Sequence, residues 1–437
     1  MFDAFLNRIR HLEPLEYILI VMALAVQIQI TLFAHGDYLG LRIGLADLFV
    51  PFTGLYVLYT LLTGRSKWPR WSVKKMMYGL AALVFVMSAA LLNSYVVNNG
   101  LSSWALVNKY TGFFLLLAYL MLGGWIASNA QNTKRVLSLF AGVFTGFVVL
   151  SMALSVVFLF LQFFIPYPLW LADYPWDGFM ANRNAFMAIF VLAFVFIIWS
   201  YADNEIYIPE TLRRLFWLCL PVFFIFNDSR TGWLVSIALM IILLLKDPVL
   251  RIKKIALPLL IGAVIAYGSY YITTKATMFV LEGAQMKYLI KVVTKETGED
   301  LAYIGDQKRF IAVEDGLELY HQHNPLIGAG LGSYKPFQIA KRGEFIDVMD
   351  FTALWLLVET GAVGLLVFAS FFMMCVWALY KTGFAQKNSA YHRAMFTFLV
   401  LFACMSVLHE LMYTRVLWLA MGLALAVPYG KRRSPPL

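Results

Sequence analysis

The groups most able to do chemistry in this chain are single cations set among apolar neighbours. FNDSRTGWLV, residues 226–235, interrupts two greasy runs with Asp228, Ser229, Arg230 and Thr231. FMANRNAF sets Arg183 between Asn182 and Asn184, and HELMYTRVLW brings Glu410, Thr414 and Arg415 close together. Arg42 and Lys109 occupy comparable places. A guanidinium forms bidentate, charge-assisted bonds to phosphate oxygens. Each cation alone is explained by snorkelling to headgroups or by a carboxylate partner. Five at one depth point further, because charge beside a spanning segment is costly and usually faces a cavity. Such a cavity suits an anionic headgroup, a lipid diphosphate above all, whose tail stays in lipid. Asn182 and Ser229 are placed to orient an arginine or bond a sugar hydroxyl. Among the carboxylates, Glu359 inside an apolar run is expected to pair with one of the arginines. Glu410 is expected to pair with Arg415, and Asp47 with Arg42 or Lys109.

The elements that must hold these groups are membrane helices. Of 437 residues 61% are hydrophobic and 14% charged, against about 25% charged in a soluble domain. A spanning helix needs about 20 apolar residues. The expected fold is all-α, with twelve spans near 15–34, 41–63, 76–97, 108–126, 136–165, 184–201, 213–227, 231–246, 255–273, 352–380, 394–413 and 415–429. MFDAFLNRIRHLEP reads as a short basic approach to the first span rather than a cleavable signal. Every second connection is basic, which by the positive-inside rule makes that side, and both termini, cytoplasmic. The net charge of +10 is therefore a topology signal and a contact with anionic lipid, and no nucleic-acid partner is expected. Cys219, Cys375 and Cys404 lie in apolar runs without a CxxC pair. The expected organisation is spans one to nine over 1–273, an external loop over 274–351, and spans ten to twelve with a cytoplasmic tail over 352–437. Within the loop, Phe310, Val313, Leu317 and Tyr320 fall at helical spacing. HNPLIGAGLGSY, with Gly328, Gly330 and Gly332, reads as a turn-rich segment.

Several stretches resemble one family. DSRTGWLVSIALMIILL, RFIAVEDGLELYHQHNPLIGAGLGSY, DFTALWLLVETGAVGLLVF and FMANRNAFMAIFVLAF resemble, in order and spacing, motifs of the bacterial O-antigen ligase and polymerase superfamily. The resemblance covers about residues 175–420 and implies a GT-C-like membrane glycosyltransferase. Such an enzyme uses an undecaprenyl-diphosphate-linked glycan as donor. The acceptor is a hydroxyl on lipid A-core, for a ligase, or a second lipid-linked glycan, for a polymerase. The attack inverts the anomeric carbon and proceeds without metal or cofactor. Motif matching carries the diphosphate-holding arginines onto Arg230, Arg309 and Arg183; Glu359 and Arg415, from the charge pattern alone, are further candidate contacts. The family's histidine before LWLL falls on Asp350. A carboxylate also accepts a proton from an attacking hydroxyl, so Asp350, His323 and His321 all stand as candidate bases. Other readings of such a chain are a transporter of lipid-linked sugars and a purely structural scaffold. A transporter would show related halves and midplane charges, and neither is visible here.

Overall fold

The computed structural model describes residues 12–32, 41–161, 178–180, 183–202, 205–227, 229–246, 248–280, 299–346, 349–386 and 389–429. In chain order these form α1 (Pro14–Ala25), β1 (Gln29–Leu32), β2 (Leu41–Gly44), α2 (Leu45–Leu62) and α3 (Met76–Val97). A π-helical turn (Trp104–Thr111) runs into α4 (Gly112–Asn129), followed by α5 (Thr133–Leu161), α6 (Arg183–Ala202), α7 (Glu210–Asn227), α8 (Arg230–Lys246) and α9 (Pro248–Val280). The last elements are α10 (Glu299–His321), α11 (Tyr334–Arg342), α12 (Thr352–Tyr380), α13 (Ala390–Ser406) and α14 (Arg415–Leu425).

Six described helical segments are long and apolar enough to cross a membrane: α2, α3, the π turn with α4, α5, α6 and α12. Shorter apolar stretches occur in α1, α8, α9, α13 and α14. The chain is a helical, multi-pass membrane protein, but twelve full-length spans are not present among the described residues. The first expected span, 15–34, is cut short for a clear reason. Gln27, Gln29 and Thr31 alternate with Ile28, Ile30 and Leu32, a two-residue period with β-branched residues that suits a strand. β1 pairs antiparallel with β2, Gln29 facing Gly44 and Leu32 facing Leu41. This ribbon takes the end of one expected span and the start of the next, within a fold that is otherwise all-α among the described residues. Apolar content is the same for both periods, so hydropathy alone does not separate them.

Helix α6 is the centre of the bundle. Its apolar window is 83% buried, whereas that of α2 is 11% buried. A helix apolar all round is a core helix, and α6 is apolar from Phe186 to Trp199. Close crossings use small residues. A Cβ on Gly422 of α14 would strike the Leu120 carbonyl of α4, and one on Gly262 of α9 would strike the Leu218 carbonyl of α7.

Helix α12 is broken. Gly361 has φ 71° and ψ −177°, a conformation open essentially to glycine alone. The break leaves carbonyls and amides without helical partners, and the glycine-rich segment supplies them. Ala329 donates to the Val358 carbonyl at 2.8 Å and Gly330 to that of Glu359 at 3.2 Å. Ala362 and Val363 donate to the carbonyls of Pro325 at 2.9 Å and Leu326 at 3.2 Å. On its other side the segment joins α3, where Leu331 donates to the Ala90 carbonyl at 2.9 Å and Asn93 to that of Gly328 at 2.9 Å.

Candidate functional site

Three helices begin on an arginine: α6 on Arg183, α8 on Arg230 and α14 on Arg415. A cation there opposes the positive end of the helix dipole, so each needs an anion nearby. For Arg415 the anion is Asp47, reached at 2.7 Å through Nε and 2.6 Å through Nη2. Asp47 also accepts from the Tyr119 hydroxyl at 2.6 Å and the Gly44 amide at 2.8 Å. Asp47 was expected to pair with Arg42 or Lys109, and Glu410 with Arg415. Instead Glu410 takes Lys109, Nζ to Oε1 2.8 Å. Arg415 opens α14 pointing back to α2 and α4, so its neighbour five residues upstream in sequence is not its partner in space.

The first turns of α6 and α8 touch. Gly232 packs against Met187 so closely that a Cβ would collide with its terminal methyl. Arg183 and Arg230 thus start two helices whose N-terminal ends lie side by side. Ser229, which is buried, accepts from the Gly232 amide at 3.3 Å and caps α8. Asn182 lies outside the described residues.

From α8 the connection continues. Thr231 Oγ1 shares a 2.9 Å hydrogen bond with Nε2 of the buried His409. The His409 carbonyl accepts from the Thr352 hydroxyl at 2.9 Å, and that hydroxyl accepts from the Leu411 amide at 3.2 Å. Thr352 is the first residue of α12, two beyond Asp350. Asp350 Oδ2 accepts from Arg309 Nε at 2.7 Å. The elements carrying Arg183, Arg230, Asp350 and Arg309 therefore form one linked group, with His409 as the bridge. His409 was visible in HELMYTRVLW beside Arg415, yet nothing local marks it. Its partner is 178 residues away in sequence.

The histidines of the loop are placed elsewhere. His321 ends α10, and His323 Nδ1 donates to the Leu319 carbonyl at 2.9 Å. Twelve residues of helix separate Arg309 from His321, roughly 18 Å along the axis. That end of α10 lies against the break at Gly361 rather than beside Asp350.

Glu359 is buried two residues before its helix breaks at Gly361. It pairs with no arginine among the described residues, contrary to expectation. Its Oε2 accepts from Trp355 Nε1 at 2.8 Å, and the Gly332 amide donates to it as well. The nearest cation is Lys109, which lies 4.3 Å over the Trp355 ring and 5.3 Å over Tyr413. The Lys109 carbonyl accepts from the Tyr413 hydroxyl at 3.0 Å. This buried lysine sits in the π-helical turn, a distortion often found at functional sites.

Helices α10 and α11 brace the group from outside. Half of the expected apolar stripe of α10 is turned outward, with Phe310 74% exposed and Leu317 also exposed, while Val313 is half-buried and Tyr320 packs against the core. The packed face is Ala312, Asp315, Gly316 and Leu319 instead, because a buried ion cluster organises it. Arg342 holds Asp315 in a bidentate pair at 2.7 and 2.8 Å. Lys341 adds a bond at 2.8 Å and Gln338 one at 3.2 Å. Burial raises the Asp315 pKa, but these hydrogen bonds and the Arg342 charge outweigh it and hold the carboxyl down at about 2.

This is a multi-pass membrane protein with cationic helix starts gathered at one end of its bundle. Residues 214–369 match the family model described as O-antigen ligase, so this part of the chain is similar to the O-antigen ligase and polymerase superfamily. The matched stretch runs from α7 to the middle of α12, so it holds Arg230, Arg309, Asp350, the glycine segment and Glu359. Arg183, Lys109, His409 and Arg415 lie outside it. No curated protein matches the chain.

Proposed function

We propose that the protein is an O-antigen ligase-type glycosyltransferase of the bacterial inner membrane. It moves a glycan from undecaprenyl diphosphate to a hydroxyl of lipid A-core on the periplasmic side, with inversion. Both termini are cytoplasmic, twelve segments cross or enter the membrane, and the 274–351 loop caps the site. One observation carries this reading: the helix starts bearing Arg183 and Arg230 meet, and α8 is tied through His409 and Thr352 to the Asp350–Arg309 pair. Two helix N-termini and nearby guanidinium groups make a site for a diphosphate.

The acceptor oxygen attacks the anomeric carbon while the bond from that carbon to the diphosphate oxygen breaks. The electron pair leaves on the diphosphate, where the arginines stabilise it. A well-placed donor of this kind is worth about 3–4 kcal/mol in the transition state. The acceptor proton passes to a base, for which Asp350 is the group adjoining the arginines. A polymerase would run the same donor chemistry with a second lipid-linked glycan as acceptor. Reconstituted protein given the undecaprenyl-diphosphate glycan and each acceptor in turn tests the reading. Glycan on lipid A-core, with release of undecaprenyl diphosphate and a loss of two to three orders of magnitude in Arg230→Ala, is the expected result. Unchanged transfer in Arg230→Ala, or movement of intact donor across the bilayer without release, would refute it.

A further inference from the structure

A crevice of about 180 Å³ opens between α2 and α4. Val50, Gly54 and Val57 form one wall and Met121 the other, and Trp68 and Pro69 close one end. Val50 to Val57 spans two helical turns, roughly 10 Å. The one hydroxyl on that wall, Thr53, donates to the carbonyls of Phe49 and Val50 at 2.9 and 3.0 Å. The lining therefore asks for no polar partner. It suits a hydrocarbon chain and not a sugar.

The closed end carries a different chemistry. Trp68 and Pro69 lie within GRSKWPRWSVKK, which holds Arg65, Lys67, Arg70, Lys74 and Lys75 and no acidic residue. All five cations are exposed. Their backbone is fixed in place. The Lys67 amide and carbonyl bond Asn129 at 2.9 Å each, the Arg70 amide donates to Ser128 at 3.0 Å, and Val427 donates to the Arg70 carbonyl at 2.7 Å. The Tyr429 hydroxyl donates to the Trp68 carbonyl at 2.8 Å. An apolar slot thus ends beneath a rigid cationic rim, and basic side chains at a membrane surface attract anionic lipid.

We propose that this crevice is a binding site for an anionic phospholipid, one acyl chain lying between α2 and α4 and the headgroup phosphate on Lys67 and Arg70. Native mass spectrometry tests this on the full chain, exchanged through nanodiscs of equal phosphatidylglycerol and phosphatidylcholine. The parent retains phosphatidylglycerol in preference. Gly54→Leu, at a position with nothing within 4 Å of an added Cβ, fills the slot and loses that retention. The Lys67→Gln/Arg70→Gln variant leaves the slot intact and weakens retention roughly tenfold, whereas Lys381→Gln leaves it unchanged. Equal retention of the two lipids, undiminished retention in Gly54→Leu or in the double variant, or displacement of the phospholipid by undecaprenyl diphosphate overturns the proposal.

Discussion

At the scale of single residues, chemistry here rests on partners distant in sequence. Arg230 and Arg183 stand out in the sequence because cations are rare in apolar runs, and the family motifs add Arg309 and Asp350. His409 is legible only in space, since its value lies in joining Thr231 to Thr352. The ion pairs teach the same lesson. Glu410 and Arg415 are near neighbours in sequence, yet one pairs with Lys109 and the other with Asp47. The Thr231–His409 bond yields a direct test. Thr231→Val keeps the shape, removes the hydroxyl and strands a buried imidazole nitrogen, at about 1–3 kcal/mol. Transfer is expected to fall roughly tenfold or more, and Thr231→Ser to keep most of it. Equal rates for valine and threonine at this position would show that the bridge does not set the site.

At the scale of elements, the glycine segment and the broken helix are one device. HNPLIGAGLGSY is legible as a turn-rich stretch, but nothing local shows that it inserts into a gap in α12. The long apolar run 352–380 reads as continuous because Gly361 interrupts the backbone and not the hydropathy. Gly328 has φ 71°, and a Cβ there would lie 2.6 Å from the Gly361 nitrogen and the Val358 oxygen. Gly343 has φ 82° with nothing within 4 Å. Both alanine substitutions incur the left-handed penalty of about 1–2 kcal/mol, but only Gly328→Ala also forces backbone apart. Thermal unfolding in detergent should show a small loss for Gly343→Ala and a much larger one, with loss of transfer, for Gly328→Ala. Similar small losses would mean that the insertion is not structurally required.

The α10–α11 clasp has its own signature. Asp315 is held at about 2, below the unfolded value near 3.9. Its depressed pKa contributes stability that is present above pH 4 and is lost as pH falls through about 2, amounting to about 2–3 kcal/mol. The unfolding midpoint of the full chain is expected to drop over that window. Asp315→Asn should be less stable at neutral pH and lack that part of the drop; an unchanged pH profile in Asp315→Asn would contradict the clasp.

At the scale of the whole molecule, composition establishes a multi-pass helical membrane protein, and the ordered motifs point to the superfamily that residues 214–369 match. The count of full spans was not legible, since α1 gives way to a ribbon and several helices are short. Neither was the packing order, in which α6 is enclosed and α2 is peripheral, because both runs are apolar enough to span and lipid accepts an apolar face as readily as protein does. The central claim is that Arg230 and Arg309, from separate parts of this bundle, grip the same diphosphate. Affinity for undecaprenyl diphosphate, measured on the parent, Arg230→Ala, Arg309→Ala and the double variant, addresses it directly. Two groups sharing one ligand couple, so the double variant should lose markedly less than the product of the single losses. Single losses that multiply independently, or a single variant that binds as tightly as the parent, would contradict the account.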